Sequence, residues 1–135
     1  MKFLYKKIAK NIVRPVIPVE LISNEDSILY DALVDSGADN CIFDAQIADA
    51  LGINLEKGIL DYVGGINGKP EPYYIHKINI KVGGSEHQIY AGFKKNFPKF
   101  GYGVLGQKGF FEHFVVKFDY HKGDLELFPR SNHRA

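Results

Sequence analysis

The longest alternating segment of the sequence, YYIHKINIKV at residues 73–82, limits the fold more than any other feature. Successive side chains of a strand point to opposite faces, so a two-residue period is typical of a half-buried β-strand. Shorter β-like runs are PVIPVELI (15–22), ILYDALV (28–34), GILDYV (58–63), HQIYAGF (87–93), VVKFDY (115–120) and DLELF (124–128). Polar or glycine-containing turns separate them, and the first pair forms a predicted hairpin. Many short strands predict a small, mostly-β barrel or sandwich.

Helices are expected at two places at most. Asp44 can cap a short helix over residues 45–51, and Gly52 can end it. The segment FFEHF (110–114) is a second candidate helix. The chain is therefore expected to be a small, mostly-β barrel or sandwich with one or two short helices.

Composition excludes several classes of protein. The chain has 135 residues, enough for one domain with a real core, and is 45% hydrophobic and 24% charged. A net charge of +1 gives no general attraction to nucleic acid or anionic membranes. No apolar run approaches the roughly 20 residues of a membrane span, and the lysine-rich start leaves no signal-peptide core. The single cysteine, Cys41, excludes an internal disulfide. The expected location is the cytoplasm.

Neither a metal nor a cofactor is expected. The 5 histidines share no zinc-ligand spacing with one another or with Cys41. Asp31, Asp35 and Asp39 suggest a cation site, but their four-residue spacing would align the three carboxylates only on a helix. The preceding strand and Gly37 argue against a helix here. GYGVLG (101–106) matches a dinucleotide-binding pattern, but NFPKF precedes it and too little chain follows for a βαβ unit.

The segment ALVDSGADN (32–40) carries the chemistry. Leu33 and Val34 run directly into the carboxylate of Asp35, and Gly37 then allows a tight turn. We expect the apolar pair to anchor the loop in the core, so that the carboxylate is held in position. Asp-Ser-Gly alone is a weak signal because such tripeptides are common in loops.

Other segments make the signal specific. Arg14–Pro15 leads into the first hairpin. VGGINGKP (63–70) lies between two strands, about midway along the chain. Val104–Gly106 places another apolar pair against a glycine. Together with Leu33–Asp39, these segments resemble the retropepsin family, the single-domain aspartic proteases typified by retroviral proteases. The resemblance spans roughly Arg14–Phe118 and implies an acid-protease barrel with one lobe per chain.

The resemblance also assigns roles. It implies catalysis by Asp35, loop support by Ser36, Gly37 and Ala38, and substrate binding by Gly37, Asp39, Gly65 and Ile66. The glycine-rich segment 64–68 would be the tip of a mobile flap over an extended polypeptide, although an ordinary hairpin turn also explains its glycines.

A homodimer follows from the number of motifs. Peptide hydrolysis by this route needs two carboxylates that share one proton, and the chain contains a single Asp-Ser-Gly. The predicted enzyme is therefore a homodimeric aspartic endopeptidase with Asp35 of each chain at a two-fold axis. A catalytically silent module for peptide binding or assembly is the alternative.

The sequence departs from the family at two places. Retroviral members usually carry an arginine at the position of Gln107, which pairs with the aspartate corresponding to Asp39. Either Asp39 has another partner, such as Arg14 of the second subunit, or the dimer is looser. The chain also continues past the expected dimer strand into a further hairpin. The predicted divisions are a basic arm (1–13), a protease domain (14–129) and a polar tail (130–135).

Overall fold

The computed structural model describes residues 1–64, 67–97 and 101–130, and it contains twelve strands, one α-helix and one 3-10 helix within them. The strands are β1 Lys2–Leu4, β2 Lys6–Ala9, β3 Ile12–Arg14, β4 Val16–Ser23, β5 Asp26–Val34, β6 Cys41–Asp44, β7 Ile59–Gly64, β8 Pro70–Val82, β9 Ser85–Lys94, β10 Gly103–Leu105, β11 Phe114–Asp119 and β12 Asp124–Pro129. The helix α1 covers Ala45–Ala50, and the 3-10 helix covers Leu55–Lys57.

Six of these strands close into a barrel. The large sheet has the order β4-β5-β10-β6-β9-β8-β7, and an antiparallel pairing between β4 and β8 closes it, leaving β7 outside the ring. Two neighbouring pairs are parallel, β10 with β5 and β6 with β9, and the other pairs are antiparallel. The predicted small closed barrel of mostly β structure is confirmed.

Alternation along the strands creates the core of the barrel. In β8, Ile78, Ile80 and Val82 are buried while Lys77 and Lys81 are exposed. Aromatic side chains fill the centre, and the Phe43 ring lies 6.3 Å from Tyr30 and 6.1 Å from Phe93 between ring centroids.

The two ends of the chain form a second sheet with the order β1-β12-β11. Leu125 and Leu127 of β12 are fully buried and extend the core across this sheet. The lysine-rich segment is therefore paired with the rest of the chain through β1, although Lys2, Lys6 and Lys7 are exposed. The division at residue 13 stays a prediction, and the tail beyond Arg130 lies outside the described residues.

One of the two candidate helices forms. Asp44 caps α1 as predicted, since its carboxylate accepts the Gln46 N–H at 2.9 Å. The predicted helix over 110–114 is wrong, because residues 110–113 form turns and Phe114 already begins β11. Strand pairing is the reason: Phe114 pairs with Pro129 of β12, and the His113 carbonyl accepts the Arg130 N–H at 2.8 Å, so the sheet takes the backbone that would continue a helix.

Within the described part of the chain, no helix has the length and apolar character needed to cross a membrane.

We expect Phe43→Ala to lower the free energy of unfolding by about 3–5 kcal/mol, because it leaves a cavity between the rings of Tyr30 and Phe93. Urea denaturation monitored by circular dichroism measures the change. Phe128→Ala is the matched control, since that ring is 45% exposed and should cost far less. Equal losses in the two variants would contradict this account of the core.

Candidate active site

Asp35 directly follows β5, and β10 holds it there from the side. β10 lies parallel to β5, with Leu105 opposite Val34. The Asp35 N–H donates to the Leu105 carbonyl at 3.0 Å, so the pairing continues one residue past the strand. Val34 is buried and Leu33 half-buried, which places the carboxylate on a rigid base.

The loop after Asp35 folds back on its carboxylate. The Gly37 N–H donates to Asp35 Oδ1 at 2.9 Å, and the Ala38 N–H donates to the Asp35 carbonyl at 3.2 Å. Ser36 and Gly37 are exposed, so this face of the loop is open. Among the described residues, no hydrogen bond is made to Asp35 Oδ2, which leaves this oxygen available to a water molecule or a substrate.

The segment after β10 fastens the second half of the loop. The Gln107 N–H donates to the Ala38 carbonyl at 2.8 Å, and the Lys108 N–H donates to the Asp39 carbonyl at 2.9 Å. Gly106 makes this approach possible, because a Cβ there would lie 2.4 Å from the Asn40 carbonyl oxygen. The resemblance placed Val104–Gly106 behind the loop, whereas the contact of Lys108 had no signal in the sequence.

Gln107 makes one more contact with the loop. Its side-chain Nε2 donates to the Ser36 carbonyl oxygen at 2.7 Å. At the position where retroviral members usually carry an arginine, the Gln107 side chain thus contacts the Asp35 loop of its own chain. Asp39 is exposed, and it forms no ion pair within the described part of the chain.

Cys41 lies beneath the loop and is not a candidate nucleophile. Burial raises the pKa of its thiol to about 12, so the thiolate is scarce at neutral pH. The Sγ atom donates to the Lys108 carbonyl at 3.4 Å, and the side chain is fully buried. This environment suits a packing role for Cys41.

The hairpin of β7 and β8 carries the segment expected to be a flap. These strands pair antiparallel from Ile59 opposite Ile75 to Gly64 opposite Pro70. Ile59, Leu60 and Tyr62 are exposed apolar side chains on this hairpin. Gly65 and Ile66, two of the predicted substrate-binding residues, lie outside the described residues.

A cavity of about 400 Å³ lies beside the loop and does not include Asp35. Asn40 and Lys108 line it on the loop side, and the other lining residues are Tyr73, Ile75, Gln88, Ile89, Tyr90, Gly109, Glu112 and His113. Asp35 itself is half-buried, beside the exposed Ser36 and Gly37. Among the residues that the structure describes, no cluster of three or more histidine, cysteine or acidic side chains could hold a metal ion.

Comparison with known proteins agrees with this arrangement. The sequence model of a family described as aspartyl protease matches residues 18–107, which include the Asp35 loop, the hairpin and Gln107. The chain belongs to the aspartyl protease family. No curated protein matches the sequence of this family member.

Two solved structures show that this member of the aspartyl protease family has a retropepsin-like fold. A retropepsin-like aspartic protease from Rickettsia conorii superposes with a TM-score of 0.62 at 16% identity, covering 94% of this chain and 88% of the other. EIAV protease in complex with the inhibitor HBY-793 gives a TM-score of 0.50 at 19% identity, covering 70% of this chain and 82% of the other.

We expect Gly106→Ala to lower the free energy of unfolding by about 1–3 kcal/mol or more. The added methyl would lie 2.4 Å and 2.7 Å from backbone carbonyl oxygens of Asn40 and Ala38, which cannot retreat without moving the loop. The urea midpoint measures the loss. Gly84→Ala is the control, because nothing lies within 4 Å of the added carbon. A Gly106→Ala protein as stable as its parent would contradict the close approach.

Proposed function

We propose that this chain is one subunit of a homodimeric aspartic endopeptidase, in which the Asp35 carboxylates of two chains activate a water molecule. The observation that carries the proposal is that hydrogen bonds hold Asp35 in one orientation in a member of the aspartyl protease family. The Asp35 N–H donates to the Leu105 carbonyl, and Oδ1 accepts the Gly37 N–H. Oδ2 accepts no hydrogen bond from the residues that the structure describes.

The reaction needs a second carboxylate. One carboxylate accepts a proton from water as its oxygen attacks the peptide carbonyl carbon, and the other donates a proton to the carbonyl oxygen. The tetrahedral intermediate then breaks its C–N bond as a proton passes to the departing nitrogen. A lone aspartate cannot serve as acid and base in the same step, and each chain supplies one Asp-Ser-Gly. The second carboxylate is therefore assigned to a second copy of the chain.

The loop is suited to such an approach. Ser36 and Gly37 are exposed beside Asp35, and Gly37 presents no side chain that would keep a facing loop away. The Ser36 hydroxyl can hold the facing loop, with Ala38 packed behind. A C2 arrangement presents the same loop from both chains, so one contact surface serves both.

The proposed substrate is a polypeptide in extended conformation. Asp39 and Gly37 would contact its backbone, and the exposed carboxylate of Asp39 is free to accept its N–H groups. The hairpin of β7 and β8 would act as a flap that closes over the peptide, and Gly65 and Ile66, which lie outside the described residues, would bind the peptide. Apolar side chains on the hairpin, such as Leu60 and Tyr62, offer surface for this closure.

Asp35→Asn should lower the rate of peptide cleavage by at least about 10²-fold, because it removes the ionisable oxygen and keeps the shape. Cleavage of a mixed peptide library, followed by mass spectrometry from acid to neutral pH, measures the loss. Asp49→Asn, on the exposed surface of α1, is the matched control and should keep the parent rate. Cleavage by Asp35→Asn at the parent rate would rule out the aspartic mechanism. A parent that binds peptides and cleaves none would favour the silent module.

Activity should also require two chains. The specific activity should rise with protein concentration, because dilution separates the subunits. An excess of Asp35→Asn chains should suppress the parent, since mixed dimers contain a single ionisable carboxylate, whereas an excess of Asp49→Asn chains should not. Light scattering gives the mass of the active species. A monomer with a concentration-independent specific activity would disprove the dimer.

A further inference from the structure

We propose that Gln107 is a positioning residue that orients the Asp35 carboxylate through a single peptide group. The inference rests on the proposed function and adds a residue to its machinery. The peptide between Ser36 and Gly37 is held at both ends: its carbonyl oxygen accepts the Gln107 Nε2–H at 2.7 Å, and its N–H donates to Asp35 Oδ1 at 2.9 Å.

Planarity of the peptide couples these two contacts. The carbonyl oxygen and the N–H belong to one rigid unit, so rotation of the unit moves both hydrogen bonds together. A donor on the Ser36 carbonyl also polarises the peptide and strengthens its N–H as a donor to the carboxylate. Gln107 therefore acts on Asp35 without touching it.

The rest of the loop does not duplicate this contact. The backbone hydrogen bonds from Gln107 and Lys108 reach the carbonyls of Ala38 and Asp39, beyond the peptide in question. The hydrogen bond from the Asp35 N–H to the Leu105 carbonyl fixes the backbone of Asp35, which precedes the Ser36–Gly37 peptide. Within the described residues, the side chain of Gln107 is thus the one group that holds the Ser36 carbonyl.

A neutral amide has a particular consequence at this position. Its N–H remains a donor at every pH at which the protein is folded, and its contact is not screened by salt as an ion pair is. A glutamate of nearly the same shape keeps a donor only while it is protonated, below about pH 4.3 for an unperturbed side chain. Comparing glutamine with glutamate at position 107 therefore tests the hydrogen-bond donor while the shape of the side chain stays nearly constant.

The experiment compares Gln107→Ala and Gln107→Glu with the parent. Gln107→Ala should lower kcat by about 3- to 10-fold with little change in KM, the size expected for loss of one exposed hydrogen bond. Gln107→Glu should approach the parent kcat below about pH 4 and lose it as the carboxyl ionises. The Gly37 amide proton should move upfield in the NMR spectrum of Gln107→Ala.

Gln46→Glu places the same charge on the exposed surface of α1 and should leave the pH dependence of kcat unchanged. An unchanged kcat in Gln107→Ala, or a ratio of Gln107→Glu to parent that does not vary with pH, would overturn the proposal. A fall in thermal stability with no change in kcat would show a structural role only. If the parent cleaves no peptide, the proposed function fails, and the Gly37 amide shift still decides: an identical shift in Gln107→Ala overturns the coupling.

Discussion

The parallel pairing of β10 with β5 is the constraint on which the site depends. It places Leu105 beside Val34, so that the next backbone hydrogen bond falls on Asp35. It also brings Gly106 against the loop at a distance that no side chain could occupy. A carboxylate on a free loop would sample many orientations, whereas here the backbone on both sides of it is fixed by hydrogen bonds.

In the proposed enzyme, one chain supplies half of the site. The barrel closes behind the loop, while Ser36 and Gly37 face outward and the neighbouring cavity does not reach Asp35. A half-buried carboxylate with one oxygen bound and one oxygen open suits a site built from two equal parts. The proposed dimer supplies the missing wall and the missing carboxylate together.

Gln107 explains how the loop can keep its shape without a charged residue at this position. The expectation from the sequence was the loss of an ionic support, and the structure adds a neutral contact to the Ser36 carbonyl. Spacing along the chain could not reveal this contact, because Ser36 and Gln107 are separated by 71 positions and the bond requires the folded loop. The turns over 110–113 have the same origin: a local pattern favoured a helix, and the pairing of Phe114 and His113 with β12 and Arg130, distant in sequence, decided against it.

Local sequence patterns were enough to predict the individual elements and the Asp-Ser-Gly motif. Alternation predicted the hairpin that leads to Asp35 and the long strand β8, and Asp44 predicted the start of α1, because these features depend on neighbours a few residues away. The tertiary structure alone decided which strands lie side by side, including the parallel pairs and the sheet that joins β1 to β12. Strand pairing over long separations is set by how buried faces pack together, and a single sequence carries no direct record of that packing.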